Sequence, residues 1–460
     1  MHRTVLLFAL FTLFALFALF ALFFVETMAS TPDRSNPVTR SPLPSAWQVF
    51  AVFLRLGLTS FGGPVAHLGY FRTEFVQRRL WLSERSYADL VALCQFLPGP
   101  ASSQVGMALG LLRAGVPGAL AAWLGFTLPS ALLLALFGMG LASGQLALPL
   151  GAEQGLKVVA VAVVAQAVWG MARTLCVGRA RVTLMVLACC AVLLAPGVQG
   201  QLGVMLVAAA IGWGLWGRQA ADVASLQDAA DLLQVPLRKR TGLVLLMGFA
   251  VLLVLLPLAA HRAASVSPAL APGSVGAAWS AALALFDAFY RAGALVFGGG
   301  HVVLPLLQAE VVAPGWVSEQ AFLTGYGAAQ AVPGPLFTLV AFLGASSQNG
   351  LGSGWGALLC LVAIFLPSFL LVLGALPFWA LLRCSRQAQG ALAGLNAAVV
   401  GLLLAALYQP VWVSAVHKPG DVVLALLAWA ALVFWRVPPW LVVLGGAGIG
   451  ALVQWGLPLL

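Results

Sequence analysis

The chain has 460 residues, 62% of them hydrophobic and only 8% charged, with a net charge of +10 and a mean hydropathy of +1.01. Soluble domains carry about 25% charged residues, so this composition excludes a water-covered globular protein. Apolar runs of about 18 residues or more recur, each long enough to cross a hydrocarbon core, and the positive residues sit singly between them as orientation signals do. No basic stripe is present, so nucleic acid is not an expected partner; the lipid bilayer is.

In chain order, residues 4–25 form a low-complexity LFA repeat with no small-residue cleavage site. Met28 then opens MASTPDRSNP, an ordinary polar N-terminus. Residues 1–27 read as a signal-anchor or as sequence upstream of the true start, the second being favoured, and are set aside from the fold; 1–45 as a whole is an N-terminal leader and polar segment. A first repeat is expected over 46–217, a linker with one central transmembrane helix over 218–277 and a second repeat over 278–460.

The repeat rests on ordered matches. Leu54-Arg55-Leu56-Gly57 and Phe61-Gly62-Gly63-Pro64 return as Tyr290-Arg291-Ala292-Gly293 and Phe297-Gly298-Gly299-Gly300, shifted by 236, and Glu74 meets Glu310. At a shift of 235, Trp81, Ser83, Gln95 and Pro98-Gly99-Pro100 meet Trp316, Ser318, Gln330 and Pro333-Gly334-Pro335. Pro129-Ser130 meets Pro367-Ser368 at 238, as small loop insertions accumulate. About thirteen apolar segments follow residue 45, six in each half and one (242–260) between them. If all span, an odd number separates equivalent segments, so the halves are inverted, as in many secondary transporters.

The charges refine this topology. If the segments bearing FGGP, LPGP, FGGG and VPGP are re-entrant hairpins, 17 Lys and Arg residues face the cytoplasm, Arg113 among them, and only Arg262 and Lys418 face outward. That asymmetry is what the positive-inside rule asks for. The expected fold is therefore an all-α polytopic membrane protein, two inverted-topology repeats with nine full spans and four broken, re-entrant segments.

Proline removes a backbone donor and clashes with the preceding turn, so Pro-Gly-Pro divides an apolar run into two half-helices. These are expected at 87–97 and 101–112, and at 320–331 and 336–346. Unpaired backbone groups at such breaks survive in a membrane where they line a protein cavity. The second half-helix of each pair starts at the break with free N–H groups and a positive dipole end, a setting suited to an anion. Candidate binding residues are Gly62, Gly63, Gln95, Gly99, Ser102 and Ser103 in the first half. Gly298, Gly299, Gln330, Gly334 and Thr338 match them in the second. The plainer alternative is that PGP and FGG are packing kinks, which their duplication at matched positions disfavours. Arg55 and Arg291, charges inside apolar segments, are candidates to neutralise a dianion, although Arg291 has Asp287 one turn earlier. Glu74, Glu310, His67 and His301 are candidates for proton coupling, with a surface ion pair or a structural histidine as the alternatives. The six cysteines form no CxxC pair and read as packing residues. With no P-loop, HExxH or nucleophile elbow, neither ATP, a metal, a cofactor nor enzyme chemistry is expected.

FGGPVAHLGYFRTEFV at 61–76, LPGP at 97–100, FGGGHVVLPLLQAEVV at 297–312 and AVPGPLF at 331–337 resemble the chromate ion transporter family in its long, two-domain form, over about 46–460. The resemblance implies a multi-pass protein of the bacterial inner membrane. It implies export of chromate linked to proton-motive force, with protons as the exchanged partner of an antiporter, and chromate resistance. Sulfate, another tetrahedral dianion, fits the same pocket, so an oxyanion importer is the first rival and a passive anion channel the second. The oligomeric state is open, a homodimer being one arrangement.

Overall fold

A computed structural model describes residues 45–454 except 147, 196, 217–236, 267–274, 298–301, 350, 352–353 and 380–384. Among them every regular element is a helix. The first half holds α1 (Ala46–Thr59), α2 (Gly63–Phe71), α3 (Glu84–Phe96), α4 (Ala101–Ala142), α5 (Leu150–Leu175), α6 (Arg179–Leu194) and α7 (Val198–Trp216). A separate helix, α8 (Lys239–Val266), follows. The second half holds α9 (Val275–Leu295), α10 (Val303–Val311), α11 (Glu319–Ala331), α12 (Leu339–Ser346), α13 (Gly354–Ala375), α14 (Arg386–Ala406), α15 (Pro419–Val433) and α16 (Pro439–Gln454).

Five helices among the described residues are long and apolar enough to cross a membrane: Ala101–Ala142, Leu150–Leu175, Lys239–Ser265, Gly354–Phe378 and Gln387–Ala415. The protein is an all-α, multi-pass membrane protein. Four further apolar helices among the described residues are shorter, and two of them, Ala46–Thr59 and Leu336–Ser346, adjoin the FGG and PGP motifs. Serines placed alike in the two halves start the half-helices: Ser83 accepts the Ser86 N–H and Ser318 accepts the Ala321 N–H, each removing one orphan donor. PGP then ends α3 and α11, and a new helix starts at Ala101 in one half and, through a 3-10 turn Leu336–Thr338, at Leu339 in the other. Helix α4 is itself broken at Ala114 and Gly115, the latter with φ 65°.

Both PGP segments return to where they began. Arg113, after the first, donates to the Trp81 carbonyl and lies over the Trp81 ring at 5.5 Å. In the second, the Gln348 N–H donates to the carbonyl of Trp316, the counterpart of Trp81, at 2.8 Å. The segments around FGG also fold back. Phe53 on α1 meets Phe71 and Phe75 beyond the turn at 5.5 and 5.0 Å, and Arg291 on α9 meets Glu310 on α10.

The half-helices after PGP form the centre of the molecule. Ser102 to Leu111 and Leu336 to Ala345 are buried without interruption, whereas the apolar window of α8 has no fully buried residue and packs along one side only, where Phe249 meets Tyr290. Glycines permit the closest crossings. A Cβ on Gly57 would stand 2.7 Å from the Phe126 carbonyl, and one on Gly293 2.2 Å from the Ile364 carbonyl. Here α1 crosses α4, and α9 crosses α13, through matched residues. Such backbone contact through small residues is how helices associate where lipid is as apolar as leucine.

Candidate functional site

The four breaks meet, and they meet crosswise. The Gly99 N–H, in the first PGP turn, donates to the Val296 carbonyl, at the end of α9, at 2.6 Å. The Gly334 N–H, in the second PGP turn, donates to the carbonyl of Ser60, the counterpart of Val296, at 2.9 Å. Both glycines have positive φ, +125° and +100°, which lets the backbone fold tightly enough for the contact. A Cβ on Gly99 would come within 2.5 Å of Ser368 Oγ, and one on Gly334 within 2.9 Å of Ser130 Oγ. Each PGP turn thus sits on the other half's proline-serine step.

Around these turns lies a set of buried polar side chains. Ser60, Ser102, Ser103, Gln104, Thr127, Ser130, Thr338 and Ser368 are each at most 2% exposed. Oxygens of Ser60, Ser103, Gln104, Thr127 and Ser368 have no hydrogen-bond partner. An unpartnered buried polar group costs about 1–3 kcal/mol, so four hydroxyls and one amide oxygen around one pair of breaks ask for a ligand or for water. His67 is buried among them. Its Nε2 lies 3.2 Å from the Ser60 carbonyl, its Nδ1 3.4 Å from Ser102 Oγ, and its edge meets Phe126 at 5.2 Å.

The structure places the residues singled out from sequence unequally. Gly99, Ser102, Ser103, Gly334 and Thr338 gather at the crossing, with His67. The Thr338 hydroxyl is occupied by the Pro335 carbonyl at 2.7 Å. Gly62 and Gly63 supply the turn, with φ +100° and +78°, but Gly62 is exposed. Gln330 lies against the Tyr326 hydroxyl. Gln95 is exposed on α3 and takes no part in the crossing; the spacing to the break does not determine which face of a half-helix looks inward. Gly298, Gly299 and His301 lie outside the described residues.

The two arginines also differ. Arg291 is held by Asp287 at 3.0 Å and by both oxygens of Glu310 at 2.6 and 2.9 Å. Glu74, the counterpart of Glu310, instead takes Arg79 at 2.8 Å and Arg78 at 3.5 Å. The Arg55 guanidinium therefore has no ion-pair partner among the described residues. Sequence reading missed Ser60, Gln104, Thr127, Ser130 and Ser368. The matched Pro-Ser steps at 129–130 and 367–368, each inside a continuing helix stretch, were the available signal.

Two cavities of about 260 and 270 Å³ lie elsewhere. The first is almost wholly apolar, between α4, α5, α11 and α16; the second is bordered by Gln201, Gln308 and Gln409. Neither is lined by the polar residues at the breaks. No cluster of metal-ligating side chains occurs among the described residues.

Comparison with known proteins bears on this arrangement. The sequence profile of the chromate transporter family matches residues 47–213 and again 283–451. The chain belongs to the chromate transporter family. It is 28% identical over 399 residues to a chromate transport protein of Pseudomonas aeruginosa, covering 84% of this chain and 87% of the relative. To a chromate transport protein of Cupriavidus metallidurans it is 26% identical over 417 residues, 90% and 94% of the two chains. An uncharacterized transporter of Methanocaldococcus jannaschii is 26% identical over 369 residues, 79% and 83%. No solved structure matches. The double match of the family profile falls on the halves that the crossing contacts relate.

Proposed function

We propose that the protein exports chromate from the bacterial cytoplasm across the inner membrane, driven by proton-motive force, and so confers chromate resistance. The observation that carries this reading is the crossing of the four breaks, with free hydroxyls and half-helix N-termini gathered at one buried place. A tetrahedral dianion has acceptor oxygens on every side and needs several donors that do not repel it. Hydroxyls of Ser103, Thr127 and Ser368, with the orphan N–H groups at the start of α4 and of the turn at Leu336, supply them. Arg55, unpaired and half-buried, is the cation that meets the anion on its path, while Arg291 is committed to two carboxylates.

The halves are read as inverted repeats over 46–217 and 278–460, with the PGP and FGG segments as re-entrant hairpins. The return of each PGP segment to its starting tryptophan supports this. Each PGP turn rests on the opposite half through one backbone hydrogen bond, so one half can rock against the other about a fixed site. Export runs with the electrical gradient. One charge moving through 100 mV is worth about 2.3 kcal/mol, and a dianion leaving an inside-negative cell gains about twice that.

Everted membrane vesicles test the reading. With an inside-positive potential, vesicles holding the wild-type protein should accumulate labelled chromate, lose that accumulation on addition of an ionophore, and lose most of it in Arg55→Ala. Chromate uptake by right-side-out vesicles alone would establish an importer, and flux indifferent to both potential and pH gradient would establish a channel.

A further inference from the structure

We propose that His67 couples protonation to oxyanion binding by controlling which way the Ser102 hydroxyl points. The idea rests on the oxyanion reading of the crossing and adds how a proton acts there. A carbonyl only accepts, so His67 Nε2, 3.2 Å from the Ser60 carbonyl, carries a hydrogen. In the neutral ring Nδ1 is then a lone pair, and Ser102 must donate its hydroxyl hydrogen to it across 3.4 Å. That hydrogen is withheld from any ligand. When the ring takes a proton from water, the new Nδ1–H donates to Ser102 Oγ. The hydroxyl hydrogen is released and turns towards the acceptor oxygens of the anion, and the ring adds a positive charge beside it.

Three observations make this more than a satisfied buried histidine. First, the Ser60 carbonyl that holds His67 also accepts the Gly334 N–H of the opposite half, and Ser102 follows the first PGP turn directly. The ring therefore bridges the two turns between which the anion is read to sit. Second, the pair is present or absent as a unit. At the matching positions of the second half stand Val303 and Phe337, both buried and apolar, so that half keeps the clasp without the ring or the hydroxyl. Third, no charged side chain touches the ring. On the elements packed against α2 the charged and titratable groups are Arg55 on α1, Arg72, Glu74, Arg78 and Arg79 on the turn beyond α2, Glu84, Arg85, Tyr87 and Asp89 on α3, where the Tyr87 hydroxyl donates to the Leu68 carbonyl, and Arg113 on α4. Glu74 pairs with Arg78 and Arg79, Arg72 with Glu84, and Arg113 bonds the Trp81 carbonyl. Arg55 has no ion-pair partner among the described residues, and the ring's hydrogen-bond and aromatic contacts are with Ser60, Ser102 and Phe126. A bound anion would then be the nearest charge to the ring.

The sign follows from linkage: if the proton tightens the anion, the anion tightens the proton by the same factor. Proton and dianion are held together, with one net negative charge. That is opposite to simple exchange at this site, where an arriving anion would expel the proton. Purified full-length protein tests it, with sulfate as the probe because sulfate stays a dianion across the range, about pH 5 to 8, in which histidine titrates. Wild-type affinity should fall by up to about tenfold per pH unit as pH rises through the titration, and sulfate addition in weak buffer should draw close to one proton from solution. His67→Gln should bind with a flat pH profile and take up no proton, and Ser102→Ala should make the profile shallower, the ring's charge alone remaining. Proton uptake by the wild type needs no variant to fold. Proton release, no uptake, or an unchanged pH slope in His67→Gln would overturn the coupling alone. If the wild type binds neither sulfate nor chromate at any pH, the oxyanion site fails and the coupling with it.

Discussion

At the scale of single residues, repeat-equivalent positions do not imply equivalent roles. Arg55 and Arg291 align, as do Glu74 and Glu310, yet only the second pair meets. The reason is readable beside them. The first half offers Arg78 and Arg79 to Glu74, while the second has Pro314 and Gly315 near that place and offers Glu310 nothing but Arg291. Asp287 completes the second cluster, and its counterpart is Ala51. Removing Arg291 leaves two largely buried carboxylates without their cation, a change that costs about 3–5 kcal/mol in well-buried pairs and less here, since a quarter of the Arg291 side chain is exposed. Arg55 gives up no ion pair. Arg291→Ala should therefore lower the thermal stability of the detergent-solubilised protein by several degrees, with Arg55→Ala close to wild type in stability but deficient in chromate flux. Equal melting temperatures for the two variants would show that the Asp287–Arg291–Glu310 cluster does not stabilise the fold.

At the scale of elements, the broken helices were legible and their partners were not. Proline chemistry alone placed half-helices at 87–97, 101–112, 320–331 and 336–346, close to the Glu84–Phe96, Ala101, Glu319–Ala331 and Leu336–Ser346 stretches observed, because the rule is local. Which turn each PGP rests on depends on packing more than 190 residues away in sequence, and no local pattern carries it. The same limit hid Ser368 and left Gln95 on the wrong face of its helix. The crossing makes its own prediction. Gly99→Ala and Gly334→Ala each force a side chain into a positive-φ backbone, about 1–3 kcal/mol, and push a Cβ against a serine hydroxyl of the other half. Gly99→Ala, whose Cβ also meets Gln104 Nε2 at 2.5 Å, should lose more stability than Gly334→Ala. For Gly334→Ala, adding Ser130→Ala should recover the steric part, so a double-mutant cycle of thermal unfolding should show favourable coupling of about 0.5–3 kcal/mol. Strict additivity would mean that the Gly334 turn does not press on Ser130.

At the scale of the whole molecule, the contacts show that the halves clasp each other reciprocally, and sidedness turns this into a transport geometry. Inverted halves, as proposed, would put the two PGP half-helix starts at one depth, entering from opposite faces, so that their dipole ends converge on a single ligand instead of standing side by side. Parallel halves would aim both from the same face. Val116, beyond the break that ends the first PGP segment, and Gln348, at the equivalent end of the second, are both exposed and report the difference. In a background without native cysteines, Val116→Cys should resist a membrane-impermeant maleimide in intact cells and react in everted vesicles, since the charge distribution puts that end with Arg113 in the cytoplasm. Gln348→Cys should do the reverse. Labelling of both from one side would make the halves parallel. The crossed glycine clasps would then join two turns facing the same compartment, and the shared oxyanion site would lose its access to the other.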